Sequence, residues 1–151
     1  MKTISRLALV PAVLVLLASP ALGADKDIKA LMGGNFQNLH VILNNLILSD
    51  YSTLVHDAGV IEQHANLLMK STPTTVLTEQ QRELFTAYAN MLRVHTRHLV
   101  EVGNALVERD QAKKTPGQMN VDYLRVVVAE HFGQMITTCV LCHNQFRRRA
   151  P

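Results

Sequence analysis

Both cysteines of this 151-residue chain lie in one short run, Cys139-Val140-Leu141-Cys142-His143. The spacing CxxCH is the attachment signature of c-type haem, and it has a geometric reason. Helical positions i and i+3 share a face, so two thiols can reach the two vinyl groups along one porphyrin edge. The next residue, His143, is then held where its imidazole can ligate the iron. Three other chemistries use the same side chains. A redox-active CxxC needs a helix N-terminus to lower a thiol pKa, and this motif sits late in a helical pattern. A zinc site needs one further ligand from another segment. A structural disulfide closed within CxxC is strained on a helix.

The elements that must carry the motif are helical. Aromatic residues are only 5% of the chain, Trp is absent, and there are 7 Gly and 5 Pro. So thin a supply of β-formers and turn residues argues against sandwiches and barrels. With 48% hydrophobic and 18% charged residues, the chain is not disordered. Apolar residues recur at steps of three and four in four segments. The first runs from about Lys26 to Ser49, with Ile28, Met32, Phe36, Leu39, Leu43 and Leu46 on its face. Ser49-Asp50 offers an N-cap for the second, which carries Leu54, Ala58, Ile61, Ala65 and Leu68 to about Lys70. Thr78 and Gln81 form a capping box for the third, whose stripe is Leu84, Tyr88, Met91, His95, Leu99, Val102 and Leu106. After the break at Lys114-Thr115-Pro116-Gly117, Asn120 caps the fourth, with Leu124, Val128, His131, Met135, Cys142 and Phe146 in register to about Arg149. The expected fold class is all-α, an antiparallel up-down-up-down four-helix bundle.

The first 24 residues read differently. Lys2 and Arg6 precede an apolar run from Leu7 to Ala18, followed by the small residues of Ser19-Pro20-Ala21-Leu22-Gly23-Ala24. That is the layout of a secretory signal, cut near Gly23 or Ala24, and too short for a comfortable membrane span. Residues 25–151 would then form one c-type cytochrome domain in the periplasm, with no membrane span. Without the first 24 residues the balance is 13 basic to 12 acidic side chains. No basic face remains for nucleic acid.

Bundle geometry narrows what lies opposite His143. In an up-down-up-down arrangement the end of the fourth helix lies beside the start of the first. His143 is roughly 9 Å from its helix end and Met32 roughly 9 Å from its helix start, at 1.5 Å per residue. The pocket would be walled by Met32, Phe36, Ala65, Leu68, Leu84, Phe85 and Tyr88. His131, His40 and His95 fall roughly 18–25 Å away along their helices, and His98 and His56 are also distant. These are expected to be polar-face or internally hydrogen-bonded histidines. His64 has the right height but lies one position off the stripe. Met32 is the distal candidate, since Met/His is a standard pairing for electron transfer. If Leu31 faces the iron instead, the haem is five-coordinate and open to small gases.

Taken with the motif, the segment Thr138 to Arg147 resembles the class II c-type cytochromes, which include cytochrome c′ and its low-spin relatives. That family typically has an aromatic at the third position after CxxCH and Arg or Lys at the fourth, filled here by Phe146 and Arg147. The resemblance extends to the signal segment, the four helices and haem attachment near the C-terminus. It implies one covalent haem c per chain, with Phe146 and Arg147 beside it and the distal place held by Met in low-spin members or by an apolar residue in cytochrome c′. Where the family usually has an Arg one turn before the distal residue, this chain has Asp27 or Ile28. The resemblance also implies a homodimer through the first two helices, with Val41, Leu48 and Val55 as candidates.

Three functions follow as expectations: an electron-transfer protein with His143 and Met32 as axial ligands and a redox partner protein, a five-coordinate cytochrome c′ taking NO or CO, and a non-haem helical metal-binding protein. No paired carboxylates, nucleophile–base set or phosphate loop suggests an enzyme.

Overall fold

The computed structural model describes residues 21–71, 77–112 and 121–147. The signal segment up to residue 20, the stretch 72–76 between the second and third helices, the Lys114–Gly117 break and the Asn120 cap lie outside them. Four helices follow in order: α1 (Ala21–Leu48), α2 (Tyr51–Lys70), α3 (Glu79–Gln111) and α4 (Val121–Arg147). No strand occurs among the described residues. The expected cleavage points at Gly23 and Ala24 fall within the first turn of α1.

Local chemistry sets the helix limits. Asp50 caps α2, its carboxylate accepting from the Thr53 N–H at 3.1 Å and so satisfying one orphan donor of the first turn. Ser49 before it takes a positive φ of 59°, the left-handed turn that ends α1. Thr78 and Gln81 make a reciprocal capping box at the start of α3. No helix of the described residues is long and apolar enough to cross a membrane.

α1 packs on α2, α2 on α3 and α3 on α4, and no other pair packs as extensively. These contacts between sequence neighbours fit a bundle. The main core joins Ile42, Leu54, Ile61, Leu99, Leu106 and Met135, each essentially excluded from solvent. Each such side chain contributes about 1.5–3 kcal/mol by leaving water. A second cluster of Ile28, Leu68, Phe85, Ala89 and Cys142 gathers where the cysteine motif lies.

On α1 and over much of α3 the buried stripe sits about one position from where hydrophobicity alone puts it, while Leu99 and Leu106 on α3 and four of the six residues expected on α4 are buried as expected. On α1 the buried line is Ile28, Asn35, Ile42 and Asn45, while Phe36 and Leu43 are exposed. The two asparagines are inside because α2 offers them partners. Asn35 Oδ1 lies 2.7 Å from His64 Nδ1, and Asn45 Nδ2 donates to Asp57 at 3.4 Å. On α3, Phe85, Ala89, Leu92, Thr96 and Gly103 are buried, in place of the expected Leu84, Met91 and Val102. Small residues let α2 and α3 approach, and Thr96 satisfies its hydroxyl on the Leu92 carbonyl at 2.9 Å. On α4, Phe132 and Thr138 join the expected Leu124, Val128, Met135 and Cys142 inside, while His131 and Phe146 are only half-buried.

Candidate functional site

The helical repeat brings Thr138, Cys139, Cys142 and His143 to one side of α4, and all four line a cavity. The other walls come from every remaining helix: Met32, Asn35, Phe36 and Leu39 on α1, Leu68 on α2, and Phe85, Tyr88, Ala89 and Leu92 on α3. The cavity is partly open to solvent, with a volume of about 80 Å³. Phe36 and His143 are exposed side chains of its wall, on α1 and α4.

Two of the expected wall residues stand elsewhere. Ala65 is buried in the main core, and Leu84 is half-buried beside Phe85, which takes the place facing inward. Phe146 supports the wall from behind, its ring edge-on to Phe85 at 5.6 Å and to Tyr88 at 6.5 Å. Arg147 ends α4, and its side chain lies outside the described residues. Asn35, Leu39, Ala89, Leu92 and Thr138 line the cavity without having been expected there. Their signal was present, since Asn35 and Leu39 continue the three-and-four steps from Met32, and Thr138 precedes Cys142 by four. Leu31 packs against the same cluster as Met32, but only Met32 reaches the cavity wall.

The two cysteines are free thiols. Burial raises the pKa of Cys139 above its ordinary value. Burial, with the neighbouring Cys139, pushes Cys142 up to about 11. Neither thiol is activated as a redox CxxC requires, where a lowered pKa makes the thiolate. The structure therefore offers two neutral thiols on one helical face, an imidazole beside them, and a thioether on the opposite helix.

That donor set fits a covalently held haem in chemistry: two thiols for thioether bonds, a nitrogen ligand and a second soft ligand. The volume does not yet fit, because about 80 Å³ is far smaller than a porphyrin. Of the helices that wall it, α1 packs extensively on α2 alone and α4 on α3 alone.

Of the remaining histidines, His40, His56 and His98 are exposed, as expected of a polar face, but His95 and His131 are not internally hydrogen-bonded: each has a buried Nδ1 without a partner. With His98 they form a cluster across α3 and α4, His98 stacked on His131 at 4.8 Å and His95 at 6.0 Å from it. Among the described residues, however, no group of three or more His, Cys, Asp or Glu is disposed to hold a metal ion. His56 pairs with Asp57 at 3.1 Å, and His40 lies edge-on to Phe36. His64 does not line the cavity, and its Nδ1 is engaged by Asn35.

Compared with family models, with curated proteins and with solved structures, the chain finds no match. Its chemistry is therefore read from its own side chains, and the cavity joining Cys139, Cys142 and His143 to Met32 is where they converge.

Proposed function

We propose that the chain is an exported, periplasmic haem c protein that carries electrons rather than catalysing a reaction, with His143 and Met32 as axial ligands. One observation carries this reading: the CxxCH residues and Met32, separated by more than a hundred positions in sequence, wall the same cavity. When bound, the haem supplies an iron that exchanges one electron with a redox partner protein. Cys139 and Cys142 would anchor it by adding their thiols across two vinyl groups. His143 would offer a nitrogen from α4, and Met32 a sulfur from α1. Leu68, Phe85, Tyr88 and Ala89 give the site an apolar wall, and a Met/His pair would favour the ferrous state.

We also propose that the helices run antiparallel, up-down-up-down. Cross-helix pairs support it, because partners step in opposite directions. Asn35 meets His64 while Asn45 meets Asp57. Arg97 meets Glu62 at 2.9 Å, while Gly103 lies against Leu54 and Val55. Phe85 meets Phe146 while His98 meets His131.

The deciding experiment is expression in a host with cytochrome c maturation. The purified protein should keep its colour after acid–acetone extraction, and its mass should show one added haem on residues 25–151. Changing both Cys139 and Cys142 to Ala should release the haem. A colourless wild-type product overturns the proposal.

A further inference from the structure

The cavity has one unmet polar requirement. Asn35 is 4% exposed, and its Nδ2 is buried with no hydrogen-bond partner. Its Oδ1 is taken, since it lies 2.7 Å from His64 Nδ1. An amide oxygen only accepts, so His64 carries its proton on Nδ1 and donates it. Gly34 makes room for that ring: a Cβ there would stand 3.3 Å from His64 Cε1. The amide is thus held at its oxygen end, while its nitrogen end, on a residue that lines the cavity, is left without an acceptor. Leaving a buried donor unmade is costly, typically about 1–3 kcal/mol, and a site that keeps one invites an acceptor.

The other polar groups on the wall do not supply one. Thr138 donates its hydroxyl to the Gln134 carbonyl at 2.9 Å, and neither cysteine sulfur is a partner of the amide. Asn35 sits one turn along α1 from Met32, and both wall the side of the cavity across from α4. A small molecule taking the place of the Met32 sulfur would meet the amide.

We propose that Asn35, positioned by His64, is the hydrogen-bond donor to a diatomic ligand with an acceptor atom, such as CO or NO, bound on the α1 side of the site. This rests on the haem reading above. It adds that the pocket is equipped to hold a small gas as soon as Met32 is displaced.

The test uses the haem-loaded Met32→Leu protein, alone and combined with Asn35→Leu or His64→Leu. In the ferrous carbon monoxide adduct, Asn35→Leu should raise the C–O stretching frequency and speed CO release by about 2- to 13-fold, the kinetic equivalent of one ordinary hydrogen bond. His64→Leu should shift the frequency in the same direction by less, since the amide remains but is no longer held. In the haem-free wild type, ¹⁵N NMR should show His64 protonated on Nδ1. A coloured Met32→Leu protein whose C–O frequency and CO release ignore Asn35→Leu overturns this proposal and leaves the haem reading standing. His64 protonated on Nε2 only also overturns it, because the amide nitrogen would then be the end turned to His64. Failure to attach haem overturns the haem reading and this proposal with it, and the NMR result then reports only on the Asn35–His64 pair.

Discussion

Met32 on α1 and His143 on α4 wall one cavity, although α1 packs chiefly on α2 and α4 chiefly on α3. The two side chains therefore sit on helices that do not pack extensively on each other. If the Met32 sulfur binds iron, Met32→Leu removes a bond but little volume, so the fold should survive with a loss under about 1.5 kcal/mol. The iron should turn high-spin, the potential should fall because thioether ligation raises it, and ferrous CO binding should become much faster. Absorption spectra and a redox titration decide. Unchanged spin state and potential would remove Met32 from the site.

His143 should be indispensable where the other histidines are not. His143→Ala should abolish the native spectrum even if the thioethers form, while His95→Ala and His131→Ala should leave the bands nearly unmoved. His95 and His131 are 6.0 Å apart from each other, and neither lines the cavity. A band shift from His131→Ala as large as that from His143→Ala would contradict the placement of α4.

The helices, the motif and the inward stripe of α2 could be read from sequence, whereas on α1 and much of α3 the residue of each turn that faces inward could not. The second stripe, the Asp50 cap and the Thr78–Gln81 box come from local spacing and local hydrogen bonds, and the structure keeps them. Phe36 is more apolar than Asn35, yet Phe36 is 64% exposed and Asn35 is inside. The reason is His64, 29 positions away, which no local pattern includes. Leu84 lost its place to Phe85 in the same way, because the ring of Phe146 packs against Phe85. Hydrophobic periodicity finds the face of a helix to within about one residue, or 100°. The last step is decided by partners on other helices.

At Gly103 on α3 there is no room for a side chain against α2. A Cβ there would stand 2.6 Å from Val55 Cγ2. Val55 cannot turn away freely, since β-branched side chains in helices hold one rotamer. Gly103→Ala should gain up to about 1 kcal/mol in helix propensity and lose about 1–3 kcal/mol to overpacking, for a net loss near 1 kcal/mol. Adding Val55→Ala should return part of it, with a coupling of about 0.5 kcal/mol or more in a double-mutant cycle of urea midpoints. Strictly additive effects would place Gly103 away from Val55.

The histidine cluster predicts a pH dependence of stability. Burial, then the neighbouring His131 and His98, lowers the pKa of His95 below its ordinary 6.5. The groups around it are His98 on α3, paired to Glu101 at 3.3 Å, and His131 on α4. In the unfolded chain His95 regains its ordinary value, so between that value and the lower folded one the unfolded state holds more protons. Stability then rises with pH through this window. His95 makes its full contribution above about pH 6.5, and that contribution is lost as pH falls through the folded value. His95→Gln cannot titrate, so its urea midpoint should fall less than the wild type's between pH 7.5 and pH 5.5. Carboxylate titration is common to both proteins and cancels in the comparison. If His95→Gln and the wild type lose stability in parallel over this range, the buried imidazole is not what acid attacks.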